Sequence, residues 1–165
     1  MILSRVLVAG FAAALLVACR AEPAANVSQP IQTAARVSPA GLDLVPLTIR
    51  SDGRTHNFLV EVARTPEQQA QGLMFRESLG PNEGMIFPFT PPRPASFWMR
   101  NTLIPLDMLF IRADGTIAHI AANTVPLSEE SVAVGEPVAA VLEIRGGRAA
   151  ELGITESAYV TWQYR

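Results

Sequence analysis

The sequence has no lysine, one cysteine and no apolar run long enough to cross a bilayer as a helix. A single thiol excludes an internal disulfide framework and a cysteine metal cluster, so the fold must be held by its apolar core. All the strongly basic side chains are arginines, 13 of them against 15 Asp and Glu. The resulting net charge of -2 offers phosphates no basic footprint, which argues against a nucleic-acid partner. Catalytic signatures are missing too: there is no Gly-x-Ser-x-Gly, no phosphate-cradling glycine loop and no His-Cys pair. His56 and His119 fall in separate predicted hairpins, without the close ligand spacing of a metal site. Glu129-Glu130 reads as a solvated loop. No metal or cofactor is expected, and the balance leans away from an enzyme.

What is present begins with a leader. Met1 to Ser4, with the α-amine and Arg5, make a short positive start, and Val6 to Ala18 is an apolar run of 13 residues. That is short of the ~20 residues of a membrane span and matches a signal-peptide core. Leu16-Val17-Ala18-Cys19 resembles a lipobox, the cleavage site of bacterial lipoproteins. The resemblance implies a diacylglycerol thioether on Cys19 and an acylated amine, and several acyl chains give stable anchoring where one would be marginal. Arg20 stands where an aspartate would retain a lipoprotein in the inner membrane, which tilts the expectation toward the outer membrane, with the protein facing the periplasm. Removal of Arg5 with the leader leaves 12 arginines against 15 acids. Arg20 to Gly41 is rich in Ala, Pro, Gln, Ser and Asn and reads as a tether, with a reach of roughly 25 to 30 Å if flexible. The expected organisation is a signal peptide at 1–18, a lipidated cysteine and tether at 19–43, and one domain at 44–165.

From Leu44 the pattern becomes short apolar runs broken by Asp-Gly, Pro and Gly, the mark of an antiparallel β domain. Strands are predicted at Leu44 to Arg50, Thr55 to Ala63, Met85 to Phe89, Ser96 to Met99, Leu106 to Arg112, Thr116 to Ala122, Val138 to Arg145 and Tyr159 to Tyr164. Asp52-Gly53 and Asp114-Gly115 are hairpin turns. Thr65-Pro66-Glu67-Gln68 opens a short helix with a capping-box pattern, closed by Gly72. Gly146 to Leu152 is a second helical turn, closed by Gly153. The fold class is mainly β, a compact antiparallel barrel-like or rolled sheet with one or two short helices; a parallel nucleotide-binding sheet is not expected.

Gly72-Leu73-Met74-Phe75-Arg76, Gly84-Met85-Ile86-Phe87 and the long run Phe97 to Ile111 resemble the domain of unknown function 192 family, also called uncharacterised protein family 0127. Val141 to Ile144, Gly146-Gly147 and Gly153-Ile154 fit its C-terminal pattern, whereas Glu156-Ser157 replaces a frequent Gly-Asp. The resemblance covers the chain from about Leu44 onward and implies a small β-barrel-like fold. It carries no activity, substrate or cofactor.

Within the long motif, Leu106, Met108 and Phe110 alternate with Asp107, Leu109 and Ile111, so both strand faces are apolar except at Asp107. A carboxylate there must accept backbone N–H bonds or meet an arginine, with Arg76 and Arg100 as candidates. Trp98, Arg100, Asn101 and Thr102 form a polar-aromatic insertion that serves either as core and turn residues or as a ligand wall with donors. Pro88 to Pro94 would be a stiff loop beside it. The leading expectation is a non-enzymatic envelope module binding a small molecule, glycan or protein through Arg76, Trp98, Arg100, Asn101, Thr102 and Asp107. The alternatives are a hydrolase with Asp107 as acid or base, and a structural envelope assembly factor.

Overall fold

Two tight hairpins and one crossover set the path of the chain in the computed structural model, which describes residues 36–163. The predicted leader, Cys19 and the tether as far as residue 35 lie outside the described residues. Strands β2 (Asp43–Ser51) and β3 (Arg54–Val62) pair antiparallel out to Ser51 opposite Arg54. Asp52 and Gly53 both take positive φ, 46° and 74°, the two-residue turn whose twist suits a hairpin. The short strand β1 (Arg36–Val37) pairs with the start of β2. Strand pairing therefore begins at Arg36, ahead of the change of composition at Leu44. A two-residue edge strand needs only backbone bonds, so it leaves no apolar pattern.

Helix α1 (Pro66–Gln71) starts as predicted. Thr65 Oγ1 accepts from Gln68 N at 3.2 Å, and Gln68 Oε1 accepts from Thr65 N at 3.0 Å and Arg64 N at 2.7 Å. Gln69 Nε2 ties the helix to the sheet, donating to the carbonyls of Ala63 and Pro88, each at 3.2 Å. Strand β4 (Glu83–Arg93) then pairs with β3 in parallel, a departure from the antiparallel expectation. The stretch 63–82, helix included, is a crossover that returns the chain to run alongside β3 in the same direction. The predicted stiff loop at Pro88 to Pro94 is instead the far end of β4, with a register shift between Pro88 and Arg93.

There follow β5 (Ser96–Phe97), β6 (Leu106–Ile111), β7 (Ile117–Thr124), β8 (Val132–Ala133), β9 (Val138–Arg145), α2 (Arg148–Leu152) and β10 (Tyr159–Trp162). The sheet order is β1-β2-β3-β4-β9-β6-β7, with β10 also on β2; β5 and β8 form a separate pair. A single bridge, Thr116 to Tyr159, links the β7 end to β10. The result is a mainly β, curled half-barrel sheet with two short helices, as predicted.

Each face of the central strands carries a core, and all six residues of β6 are buried. The sheet curls around one cluster that includes Leu47, Val60, Ile86, Leu109, Ile144 and Val160. On the opposite face Met85, Phe87, Met108, Phe110 and Val141 are covered by connections, through Leu73, Phe97 and Met99. A cleft lined by Leu73, Phe97 and Trp98 lies in that covering layer.

Candidate functional site

Asp107 is fully buried and faces the first cluster. Its Oδ1 accepts the N–H of Asn123 at 2.7 Å and of Gly147 at 2.9 Å, and its Oδ2 accepts that of Ala149 at 2.7 Å. Gly147 is the N-cap of α2 and has no side chain to cap with, so Asp107 caps this helix from 40 residues away. The approach depends on Gly146, where a Cβ would meet Pro105 and the Asn123 side chain at 2.8 Å.

Of the two kinds of partner expected for Asp107, backbone N–H groups and an arginine, the structure supplies the first and neither arginine. Arg76 donates to Glu61 Oε2 at 2.6 Å, and Arg100 lies 3.9 Å from Glu129 and over the Trp98 ring. Backbone N–H groups already occupy both Asp107 oxygens, and no solvent reaches them. The hydrolase reading built on Asp107 therefore has no access to a substrate.

The other motif residues separate as well. Asn101 has positive φ, 55°; its carbonyl accepts Phe75 N at 2.9 Å, and its amide lies 3.8 Å from Met74 sulfur. Buried Thr102 donates its hydroxyl to the Arg100 carbonyl at 3.3 Å. Arg76 borders a different hollow, beside Gly41, Leu42 and Gln68. Of the six residues singled out in the sequence, Trp98 and Thr102 line one cleft together, and Arg76, Arg100, Asn101 and Asp107 are not part of it.

That cleft, about 360 Å³, lies between the α1-to-Met74 segment, the end of β4 and the 95–102 segment. Its walls include Leu73, Phe87, Phe89, Phe97 and Trp98, with Phe87 and Phe97 in edge-to-face contact at 5.0 Å. Glu143 also lines it. This residue sits on β9 between Met85 of β4 and Met108 of β6 in register. It is 5% exposed, and among the described residues it has neither a hydrogen bond nor an ion pair. Burial alone raises its pKa to about 8. It is therefore chiefly a neutral acid at pH 7, able to donate a hydrogen bond. Glu61, one strand beyond Met85 in the same row, differs because Arg76 neutralises it.

Sequence reasoning passed over Glu143. The signal that singled out Asp107, one carboxylate in an apolar run, is equally present in Val141-Leu142-Glu143-Ile144. Among the described residues no group of three or more His, Cys, Asp or Glu could hold a metal ion.

The model of one family, DUF192 (Uncharacterized ACR), matches residues 47–162. The chain belongs to the DUF192 family. The matched stretch includes Asp107, Glu143 and Trp98, so this cleft is built within the DUF192 domain. A solved structure of a protein of unknown function from Novosphingobium aromaticivorans is 49% identical, covering 79% of this chain and 94% of its own, with a TM-score of 0.76. A candidate transcription regulator from Sinorhizobium meliloti is 43% identical, covering 73% of this chain and 95% of its own, with a TM-score of 0.72. A search of curated proteins finds no match.

Proposed function

We propose that this DUF192 chain is a non-enzymatic binding module of the bacterial envelope, anchored through lipid on Cys19, which holds a small molecule in the Trp98–Glu143 cleft. The observation that carries the reading is Glu143, 5% exposed, with no partner for its carboxyl among the described residues and bordering an aromatic cleft. A ligand acceptor in the cleft would take the hydrogen bond that no protein group takes from this carboxyl. The cleft's size and its few polar groups among aromatic walls suit a small ligand. Arg76, Arg100, Asn101 and Asp107 serve structure in this reading, and the ligand contacts come from Trp98, Thr102 and Glu143. A role in transcription, the description of the Sinorhizobium relative, finds no support in an arginine count below the count of acids.

The test is an NMR titration of the full chain with 4-acetylbenzoate, 4-acetylbenzylammonium and 4-methylacetophenone, three probes of one shape and different charge. Binding should shift the Trp98 indole N–H and the amides of Gln69 to Met74 and Val141 to Glu143. No saturable shift at these positions with any probe at millimolar concentration would sink the proposal.

A further inference from the structure

We infer that the cleft is built for an amphipathic anion: an apolar molecule with one carboxylate, set against Arg93, and an uncharged acceptor atom that takes a hydrogen bond from Glu143. The inference rests on the binding reading above and names its ligand class. Two ionisable side chains line the cleft, Arg93 and Glu143. Arg93 meets no carboxylate among the described residues; its guanidinium stacks 4.1 Å from the centroid of the Phe89 ring and gives one long bond, 3.4 Å, to the Pro94 carbonyl. Stacked on a ring, the guanidinium keeps its edge donors free for a carboxylate. Glu143 in its neutral form adds a donor and no negative charge. The cleft therefore presents a cation and a proton donor across apolar walls, which disfavours an ammonium ligand and favours an anion that also carries an acceptor. Arg93 stands opposite Val138, five residues before Glu143 on β9. The Arg93 guanidinium, carried toward the cleft by its stacking on Phe89, and the Glu143 carboxyl therefore address different ends of one small ligand.

The groups around Glu143 leave it in control of the pH response. On β4 it meets Met85, and beyond that on β3 the Glu61–Arg76 pair. On β6 it meets Met108, while Asp107 faces the other side of the sheet. On β7, His119 lies beside Phe110 and is held by Glu156 at 3.2 Å. In the 95–102 segment, Arg100 is exposed and turned toward Glu129. In α1, Glu67 is exposed, its pKa lowered first by its own backbone N–H and then by the Thr65 side chain.

The experiment compares affinities of the same three probes for the full chain. 4-Acetylbenzoate should bind about tenfold more tightly than 4-methylacetophenone, and Arg93→Gln should erase that advantage while the neutral ketone keeps its affinity. Raising the pH from near 7 to about 9 should weaken ketone binding about tenfold as Glu143 loses its proton. Glu143→Gln, which keeps a donor but cannot titrate, should bind with no such pH dependence. Preference for the ammonium probe, or equal affinity for acid and ketone that ignores Arg93→Gln, overturns the anion assignment and leaves the binding reading standing. Ketone binding insensitive to pH overturns the role of Glu143. Failure of all three probes overturns both proposals.

Discussion

Asp107 and Glu143 occupy adjacent strands of the same sheet, one register step apart, and both side chains are buried; they differ in what meets them. Asp107 points into the cluster inside the curl, where three backbone N–H groups converge on its two oxygens. Glu143 points to the opposite face, where its neighbours across the strands are two methionines and an open cleft. A buried carboxylate surrounded by donors is a structural tie, because its charge is solvated by the protein itself. A buried carboxyl without donors keeps its proton and its hydrogen-bonding capacity for something else.

That contrast can be broken at four points. Asp107→Ala should have the largest effect, about 3–5 kcal/mol of lost stability in urea unfolding, because three buried N–H groups lose their acceptor and α2 its cap. Amide exchange should show α2 and the Asn123 turn opening first. Asp107→Asn should cost less, since its oxygen can still serve Asn123 and Gly147 while its NH2 opposes the Ala149 N–H.

Glu143→Gln should act in the other direction. Because burial raises the pKa of Glu143 from 4.5 to about 8, the folded state binds a proton that the unfolded chain releases. Stability from this group is complete below about pH 4.5 and declines as pH rises to about 8. The variant should match the wild type near pH 4 and exceed it near pH 8.5, by on the order of a few kcal/mol in denaturant titrations at the two pH values. Equal stability of the two proteins at both pH values would show that Glu143 has a partner after all.

Arg76→Ala tests the intermediate case, a buried carboxylate whose one side-chain partner among the described residues is a cation. It should cost about 2 kcal/mol, less than a fully buried pair, because Arg76 is itself 30% exposed. Trp98→Ala should move stability least, by under about 1 kcal/mol, because the ring is 47% exposed. Its effect should instead appear as weakened binding of 4-acetylbenzoate in the cleft.

Much of the fold was legible in the chain because it is written locally. Asp52-Gly53 and Asp114-Gly115 turn the chain where left-handed backbone is required, Thr65 and Gln68 cap α1, and Gly153 closes α2 at φ 67°. The parallel β3–β4 pairing was not legible, since a crossover and a hairpin differ in where the chain returns and not in strand composition. The site was half legible. Trp98 and Thr102 stood out as unusual residues in an apolar motif and do line the cleft, but Arg76, Arg100 and Asp107 were grouped by opposite charge and are separated by the fold.

The sequence alone therefore determined the strand positions, the turns, the helix caps and the membership of a family with a distinctive central motif, because each depends on residues within a few positions of one another. It also determined that Asp107 and Glu143 would be costly to bury, since each interrupts an apolar strand. Only the tertiary structure decided which of them would be satisfied. The donors that close on Asp107 come from 16 to 42 residues away, and the segments that wall the cleft near Glu143 come from α1, β4 and the loop after it. Hydrogen bonding saturates by geometry and not by composition, so one carboxyl became part of the frame and the other remained available.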